Sequence, residues 1–173
     1  NLDWFTPTFW KFVLMNSMKI GAIKELPSNN NSPSYIPYND RFIMGGNGIP
    51  YGNVLRGYDD NRVGPLTGTG NPIGGNTLVK FSTEFRVPFA ENPVVYGMVF
   101  AEMGNVWSSS DLMERLSLPR SGPLDLKRSV GVGVRFFMPM IGMLGFDFAR
   151  GFDRVDVNGR LKPEWKTTLT FGQ

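Results

Sequence analysis

Apolar and polar residues alternate with a period of two along several stretches of this chain, most clearly after residue 76. In residues 77–89, Val79 and Phe81 belong to the apolar set, whereas Lys80 and Glu84 belong to the polar set. Successive side chains of a β-strand point to opposite faces, so this pattern predicts strands with one apolar and one polar face. The same division recurs in three later segments, at 128–138, 143–151 and 165–172.

Two further segments are predicted as strands from weaker patterns. Residues 8–23 set Trp10 against Lys11 but place a polar residue on the apolar side, and residues 94–107 are mostly apolar on both faces apart from Glu102. Consecutive strands with short connections usually pair with each other. We therefore predict one antiparallel meander of six strands, at 8–23, 77–89, 94–107, 128–138, 142–151 and 164–173.

The connections between these strands alternate in length. Those at 90–93 and 139–142 are short and rich in turn-forming residues, whereas those at 108–127 and 152–163 are long. This arrangement, with strands of about ten residues, is typical of a transmembrane β-barrel. A soluble β-sandwich also has alternating strands, so alternation alone leaves both architectures open. No stretch approaches the roughly 20 apolar residues of a membrane-spanning helix, so a membrane location would require strands.

The residue types that carry most catalysis are missing. Histidine and cysteine are both absent, which excludes the commonest general base, a thiolate nucleophile and cysteine-ligated metal. The adjacent Asp59 and Asp60 are interpreted as a loop cap or a surface pair. The 18 lysines and arginines are scattered and the net charge is only +3, which disfavours a nucleic-acid-binding surface. We predict a non-enzymatic protein with no cofactor, no metal and no nucleic-acid partner.

The segment at about 24–76 is too long for an ordinary connection. Its middle, from Asp40 to Pro65, reads DRFIMGGNGIPYGNVLRGYDDNRVGP and mixes large apolar residues with glycines. Glycine is favoured where the backbone turns sharply. We therefore predict an ordered, functional loop.

Short motifs follow one another in a characteristic order through this loop and the strands after it. The loop contains Arg41-Phe42, Gly45-Gly46, Leu55-Arg56-Gly57-Tyr58 and Val63-Gly64-Pro65. The later motifs are Gly74-Gly75-Asn76, Glu84-Phe85, Glu102 to Trp107, Arg128-Ser129 with Gly131 and Gly133, and Pro139 to Asp147. From Asp40 onward the chain resembles the BamA-type outer-membrane barrels of the bacterial surface antigen superfamily, and the loop resembles their sixth extracellular loop.

The resemblance implies an all-β fold in which the chain is the C-terminal part of one transmembrane barrel domain. It would supply the last six of 16 strands, with the long loop folded into the lumen. An open sheet in lipid would leave unpaired backbone groups at its edges, so further strands are required. We expect those strands, and the POTRA domains that the family places before the barrel, to lie outside these 173 residues.

The resemblance also implies that Arg56 contacts acidic residues on the inner wall, at Glu84 and Glu102. A guanidinium presents a planar fork of donors that carboxylates accept in pairs, and a partly dry lumen strengthens the contact. Gly57 permits a tight turn beside the arginine, and Tyr58 can anchor the loop tip through its ring. The three residues Arg56, Gly57 and Tyr58 are therefore predicted to anchor the loop.

The last predicted strand is similar to the C-terminal signal of outer-membrane barrels, although the family's final aromatic residue is not present by Gln173. The resemblance implies that this strand forms one side of a lateral gate, through residues Trp165, Leu169, Phe171 and Gly172. A client strand would enter the membrane there by pairing with the strand edge, which needs no cofactor.

The function that this implies is insertion of β-barrel proteins into the bacterial outer membrane. The expected partners are outer-membrane lipid, the remaining barrel strands, unfolded β-barrel clients and accessory assembly lipoproteins. A TamA-like assembly factor or a two-partner-secretion pore shares the arginine loop and stays open as an alternative. A barrel enzyme or surface antigen fused to this module is a third alternative, of a different class.

Two features of the strands test this interpretation. Proline cannot donate to a sheet ladder, so Pro88 and Pro139 should lie at strand ends. The apolar faces should be exposed on the outer wall, where lipid replaces water, at Phe81, Phe85, Phe136, Phe146 and Phe148.

Overall fold

The computed structural model describes residues 1–24, 36–49, 51–108, 125–140, 142–155 and 160–171. These residues form seven strands and one short 3-10 helix, Tyr38–Asp40. The strands are β1 (Leu2–Pro7), β2 (Val13–Ala22), β3 (Thr77–Glu91), β4 (Val94–Trp107), β5 (Lys127–Met138), β6 (Gly142–Gly151) and β7 (Glu164–Phe171). No helix in the described parts of the chain is long and apolar enough to cross a membrane.

The seven strands form one sheet in the order β1-β2-β3-β4-β5-β6-β7, and every neighbouring pair is antiparallel. The predicted meander is therefore confirmed, with no crossing connection. β1 and β7 each have one partner among the described strands, so the sheet is open. It is the fold expected of a part of a barrel.

The chain has seven strands where the sequence predicted six. The first part of the segment predicted as one strand at 8–23 is a turn, and an additional strand precedes it. Thr8 donates to the carbonyl oxygen of Phe12 from its backbone N–H and from its hydroxyl, both at 3.0 Å. Trp10 adopts a positive φ of 57°, which a strand does not allow. Residues Leu2–Pro7 pair with β2 as a separate strand, which the sequence analysis missed.

The two faces of the sheet are divided as the alternation predicts. On the face defined by Glu84, Glu102 and Arg135, here called the inner face, charged side chains are buried. The opposite, outer face is apolar and exposed, with Phe146 and Phe148 at 49% and 46% exposure. Phe81, Phe85 and Phe136 are partly exposed. Such an arrangement is inside-out relative to a soluble sandwich, because polar groups here fill the interior.

Both prolines lie where the sheet tolerates them. Pro139 follows the last residue of β5. Pro88 lies inside β3, so its predicted place at a strand end is wrong. It lies beyond Arg86, where pairing with β2 ends, and next to a register shift between Pro88 and Ala90. It therefore pairs with β4 alone, and its missing donor breaks no doubly paired ladder.

The long loop is compact in the part that the structure describes. Met44 forms backbone bridges with both Asn53 and Val63, and Phe42 pairs with Gly75 through two hydrogen bonds of 2.8 and 2.9 Å. Its apolar side chains pack against the inner face of β3 and β4. This core consists of Met44, Leu55, Tyr58, Val63, Leu78 and Val106, with Phe42 packed beside it.

Leu55→Ala is expected to destabilise this packing, because Leu55 is fully buried between the loop and the sheet. Truncating a buried leucine to alanine costs about 2–5 kcal/mol, depending on how far the cavity collapses. Urea unfolding of the complete protein in detergent would measure the loss. The control is Leu161→Ala, since Leu161 is 70% exposed and its truncation should change stability little. Equal stability of the two variants would contradict the loop packing described here.

Candidate functional site around Arg56

The backbone at the loop tip is placed by two local features. Gly46 and Leu55 form a bridge immediately before Arg56. Gly57 has a positive φ of 85°, and a Cβ atom there would lie 2.8 Å from the backbone nitrogen of Gly151. Glycine is therefore required both for the conformation and for the close approach to the end of β6. The turn directs the Arg56 side chain onto the inner face.

Arg56 is held by carboxylates from neighbouring strands. Its Nη2 lies 2.6 Å from Oε1 of Glu84 on β3 and 2.8 Å from Oε1 of Glu102 on β4. Its backbone N–H also donates to Oε2 of Glu102, at 2.9 Å. The arginine side chain is only 4% exposed, and the two glutamates are 9% and 1% exposed. These are hydrogen-bonded charge pairs in a nearly dry site, where such contacts are stronger than at a surface.

The two glutamates accept from further donors, so the buried charges are compensated more than once. Glu84 accepts from Nε and Nη2 of Arg86 at 3.0 and 2.7 Å. Glu102 lies 3.1 Å from Nζ of Lys80 and accepts from the hydroxyl of Ser82 at 3.1 Å. Buried carboxylates are tolerated only when most of their lone pairs have partners, and here they do.

The sequence analysis missed a further pair of charged residues in this site. Arg135 on β5 donates from both Nη atoms to Asp147 on β6, each at 2.8 Å. Asp147 Oδ1 also lies 3.7 Å from Nη1 of Arg56. Arg135 and Asp147 both belong to the predicted polar face, so their direction was available from the alternation. Their pairing was not, because it depends on the register between the two strands.

Glycines on the inner face make room for the large side chains of the site. The Phe100 ring lies under the Arg56 guanidinium, with 3.6 Å between the guanidinium carbon and the ring centre. A Cβ at Gly131 would lie 2.5 Å from this ring and 2.5 Å from the Phe148 carbonyl oxygen. A Cβ at Gly133 would meet the carboxylate of Asp147. The glycines at alternate positions of β5 therefore leave space in which Phe100 and Asp147 lie against the sheet.

Tyr58 follows the tip and connects the loop to the ends of β5 and β6. Its hydroxyl donates to the carbonyl oxygen of Arg128 at 2.7 Å and accepts from the backbone N–H of Asp153 at 3.3 Å. Burial raises the pKa of Tyr58 to about 12, so its hydroxyl remains a donor at neutral pH. The Arg128 guanidinium in turn donates to the Asp153 carboxylate at 2.8 and 3.1 Å.

The two aspartates after Tyr58 have different contacts. Asp60 accepts from the backbone N–H of Asn47 at 2.9 Å, which agrees with its interpretation as a loop cap. Asp59 pairs with Arg154 at 2.9 Å and with Lys166 of β7. Burial opposes ionisation of Asp59, but the hydrogen bond from Lys166 and the charge of Arg154 outweigh it and lower the pKa of Asp59. The sequence offered no signal for this second contact, because it joins residues far apart in the chain.

Three of the four residues predicted to form a lateral gate, Trp165, Leu169 and Phe171, lie on β7 and away from the site around Arg56. Trp165 is 49% exposed and stacks on Phe148, with 4.6 Å between ring centres. Leu169 is half-buried and is the register partner of Phe146 on β6. Phe171 is 53% exposed. Gly172 lies outside the described residues.

Arg56→Ala is expected to loosen the loop while leaving the strands paired, and to impair assembly of the barrel. The substitution leaves Glu84 and Glu102 without their shared donor, at about 1–3 kcal/mol for each unsatisfied group. Limited proteolysis of residues 47–63 in the complete protein would detect the change as faster cleavage. The control is Arg62→Ala, because Arg62 is an exposed arginine of the same loop. Cleavage at the wild-type rate in Arg56→Ala would show that the arginine is not the anchor.

Gly131→Ala is expected to have a similar effect without removing any charge. The added methyl group overlaps the Phe100 ring and the backbone of β6, so the surface beneath the Arg56 guanidinium must shift. We expect faster cleavage of the loop than in the wild type. Gly68→Ala serves as the matched control, since no atom lies within 4 Å of a Cβ there. Identical loop protection in both alanine variants would argue against this role of Gly131.

Comparison with known proteins agrees with the fold. Residues 1–168 match the family model described as the Omp85 superfamily domain. The crystal structure of BamA from Haemophilus ducreyi lacking POTRA domains 1–3 matches with a TM-score of 0.64 and 19% identity, over 96% of this chain and 34% of that chain. This chain thus spans about a third of the matched structure. No curated protein matches the sequence. The family match covers nearly the whole chain, which therefore belongs to the Omp85 superfamily and to the bacterial outer membrane.

Proposed function

We propose that this chain is the C-terminal part of a barrel that inserts β-barrel proteins into the outer membrane. The observation that carries the proposal is the combination of a loop held by a buried arginine with a terminal strand that has a single partner. Arg56 holds the loop tip on the inner face through Glu84 and Glu102. β7 pairs with β6 and with no other described strand. The first feature would keep the interior ordered, and the second identifies the strand at which we propose that a client pairs.

The exchange of strands requires an edge whose backbone groups can be satisfied by another strand. β7 forms eight register pairs with β6, from Gly151↔Glu164 to Leu144↔Phe171. Unpaired donors and acceptors at a strand edge cost several kcal/mol each in lipid, so a β7 edge that is only weakly closed by the rest of the barrel would favour an added client strand. We propose that Trp165, Leu169, Phe171 and Gly172 belong to this lateral gate, and that Arg56, Gly57 and Tyr58 anchor the loop. The chemistry is exchange of hydrogen bonds, without an enzymatic step or a cofactor.

The proposal extends to the parts of the protein outside this chain. The remaining strands would complete a 16-stranded barrel with outer-membrane lipid around it. POTRA domains would precede it and deliver unfolded β-barrel clients, with accessory assembly lipoproteins bound to them. The structural match covers 34% of that chain, so these parts of the proposal rest on the family resemblance.

The test uses the complete protein in liposomes with an unfolded β-barrel client. We expect the client to become folded in the membrane, measured by heat-modifiable migration and by protection from protease. A client that instead crosses into the liposome interior would favour a secretion pore, and a client that does neither would refute both functions. Arg56→Ala should lower the insertion rate by about tenfold, if the loop anchor contributes the roughly 1–3 kcal/mol of one buried hydrogen-bonded group.

Cross-linking can show where the client enters. The chain contains no cysteine, so single cysteines report one position each. Phe171→Cys on β7 should form disulfides with a cysteine-bearing client during insertion. Val132→Cys is the matched control, because Val132 is 51% exposed on the same outer face but lies on β5, which has partners on both sides. Equal cross-linking at the two positions would argue against entry at β7.

A further inference from the structure

The loop tip contacts β7 directly, in addition to its contacts with β3 and β4. Asp59 lies three residues after Arg56 and accepts a hydrogen bond from Nζ of Lys166, on the inner face of β7. Among the described loop residues, Asp59 forms an ion pair with β7. The Asp59 carboxylate thus connects the loop tip to β7.

A second route reaches the same strand through Arg154. Arg154 Nη2 donates to Asp59 at 2.9 Å, and its Nη1 lies 3.4 Å from the carboxylate of Glu164, the first residue of β7. The Arg154 side chain is 13% exposed, so it is held between the loop and the strand and is not free in solvent. Asp59 therefore contacts β7 both directly and through a largely buried guanidinium.

The position of Asp59 depends on the anchor described above. Gly57 lies against Gly151, and the Tyr58 hydroxyl is bonded to the backbone of Arg128 and Asp153. These contacts hold the loop tip at the C-terminal end of β6, from which Asp59 reaches the neighbouring β7. If the Arg56 side chain left its site, the next three residues would lose these contacts, and Asp59 would leave Lys166.

We infer that Asp59 and Lys166 form a latch by which the seated loop positions β7 against β6. This inference rests on the proposed function, because positioning β7 matters for a client only if that strand is the site of exchange. Among the described strands β7 pairs with β6, and a contact from the loop adds a further restraint on their separation. Coupling of this kind is reciprocal: a bound loop stabilises the paired strand, and a paired strand stabilises the bound loop.

The coupling is expected to be modest. The side chains of Lys166 and Asp59 are 35% and 41% exposed, and partly exposed ion pairs are individually weak. A weak latch suits a strand that must separate during each cycle of insertion, whereas a fully buried pair would hold it closed. Lys166 and Asp59 are positioning residues in this view, because their side chains act through the placement of β7.

The experiment measures hydrogen exchange of the β7 backbone amides in the complete protein in liposomes, without any client. Lys166→Gln should speed exchange across Glu164 to Phe171 by about twofold to fivefold, the range that a partly exposed ion pair supplies. Lys166→Arg keeps the charge and should restore exchange to nearly the wild-type rate. The control is Lys11→Gln, which removes an equally simple lysine–glutamate pair, with Glu91, at the opposite end of the sheet.

A double-mutant cycle then tests whether Asp59 is the partner. Asp59→Asn and Lys166→Gln should each speed exchange. The double variant should exchange no faster than the faster single variant by more than about twofold, since Asp59→Asn already removes the pair with Lys166, together with the contact to Arg154. Exchange in Lys166→Gln that equals Lys11→Gln would overturn the latch. So would strictly multiplicative effects in the double variant, or failure of Lys166→Arg to restore slow exchange. Because no client is present, these outcomes are independent of the insertion assay that tests the proposed function.

Discussion

The structure depends on the burial of one guanidinium among carboxylates from different strands. Arg56 meets Glu84 of β3 and Glu102 of β4 within 2.8 Å, and Asp147 of β6 at 3.7 Å. A charge this deeply buried is tolerated only with excellent geometry and full compensation. The loop must therefore enter the interior at one depth and in one orientation, and the strands that carry the acids must keep their register. The Arg56 side chain thus couples the position of the loop to the register of the strands that carry its carboxylate partners.

The division of the two faces supports this site. The outer face takes large apolar side chains that lipid can cover, and so the inner face is free to hold charges and glycines. Gly131 and Gly133 alternate with Val130, Val132 and Val134 on the same strand, so β5 is bulky outside and nearly bare inside. Phe100 and Asp147 occupy the space that the glycines leave. The alternation therefore encodes the location of the interior and also its available volume.

Much of the fold could be predicted from the sequence, because a period-two pattern reports strands directly. β3 to β6 begin and end within two residues of their predicted bounds. The turn near Trp10 was missed because Trp10 and Phe12 continue the apolar alternation of β2 through a tight bend. The pair of Arg135 and Asp147 could not be predicted, because it depends on the register between β5 and β6. The contact of Asp59 with Lys166 could not be predicted either, because it depends on where the loop tip lies against β7. Arg56 was singled out by its flanking motif, since a lone arginine in a loop carries no such signal.

The bridges inside the loop bear on how it could move. Met44 forms bridges with Asn53 and Val63, and Gly46 forms a bridge with Leu55. The loop is therefore held together by its own backbone contacts, in addition to its contacts with the sheet. A segment with such internal bonds has little to gain by unravelling residue by residue. Displacement would carry a preformed plug, and the interior would be either filled or vacated in one step.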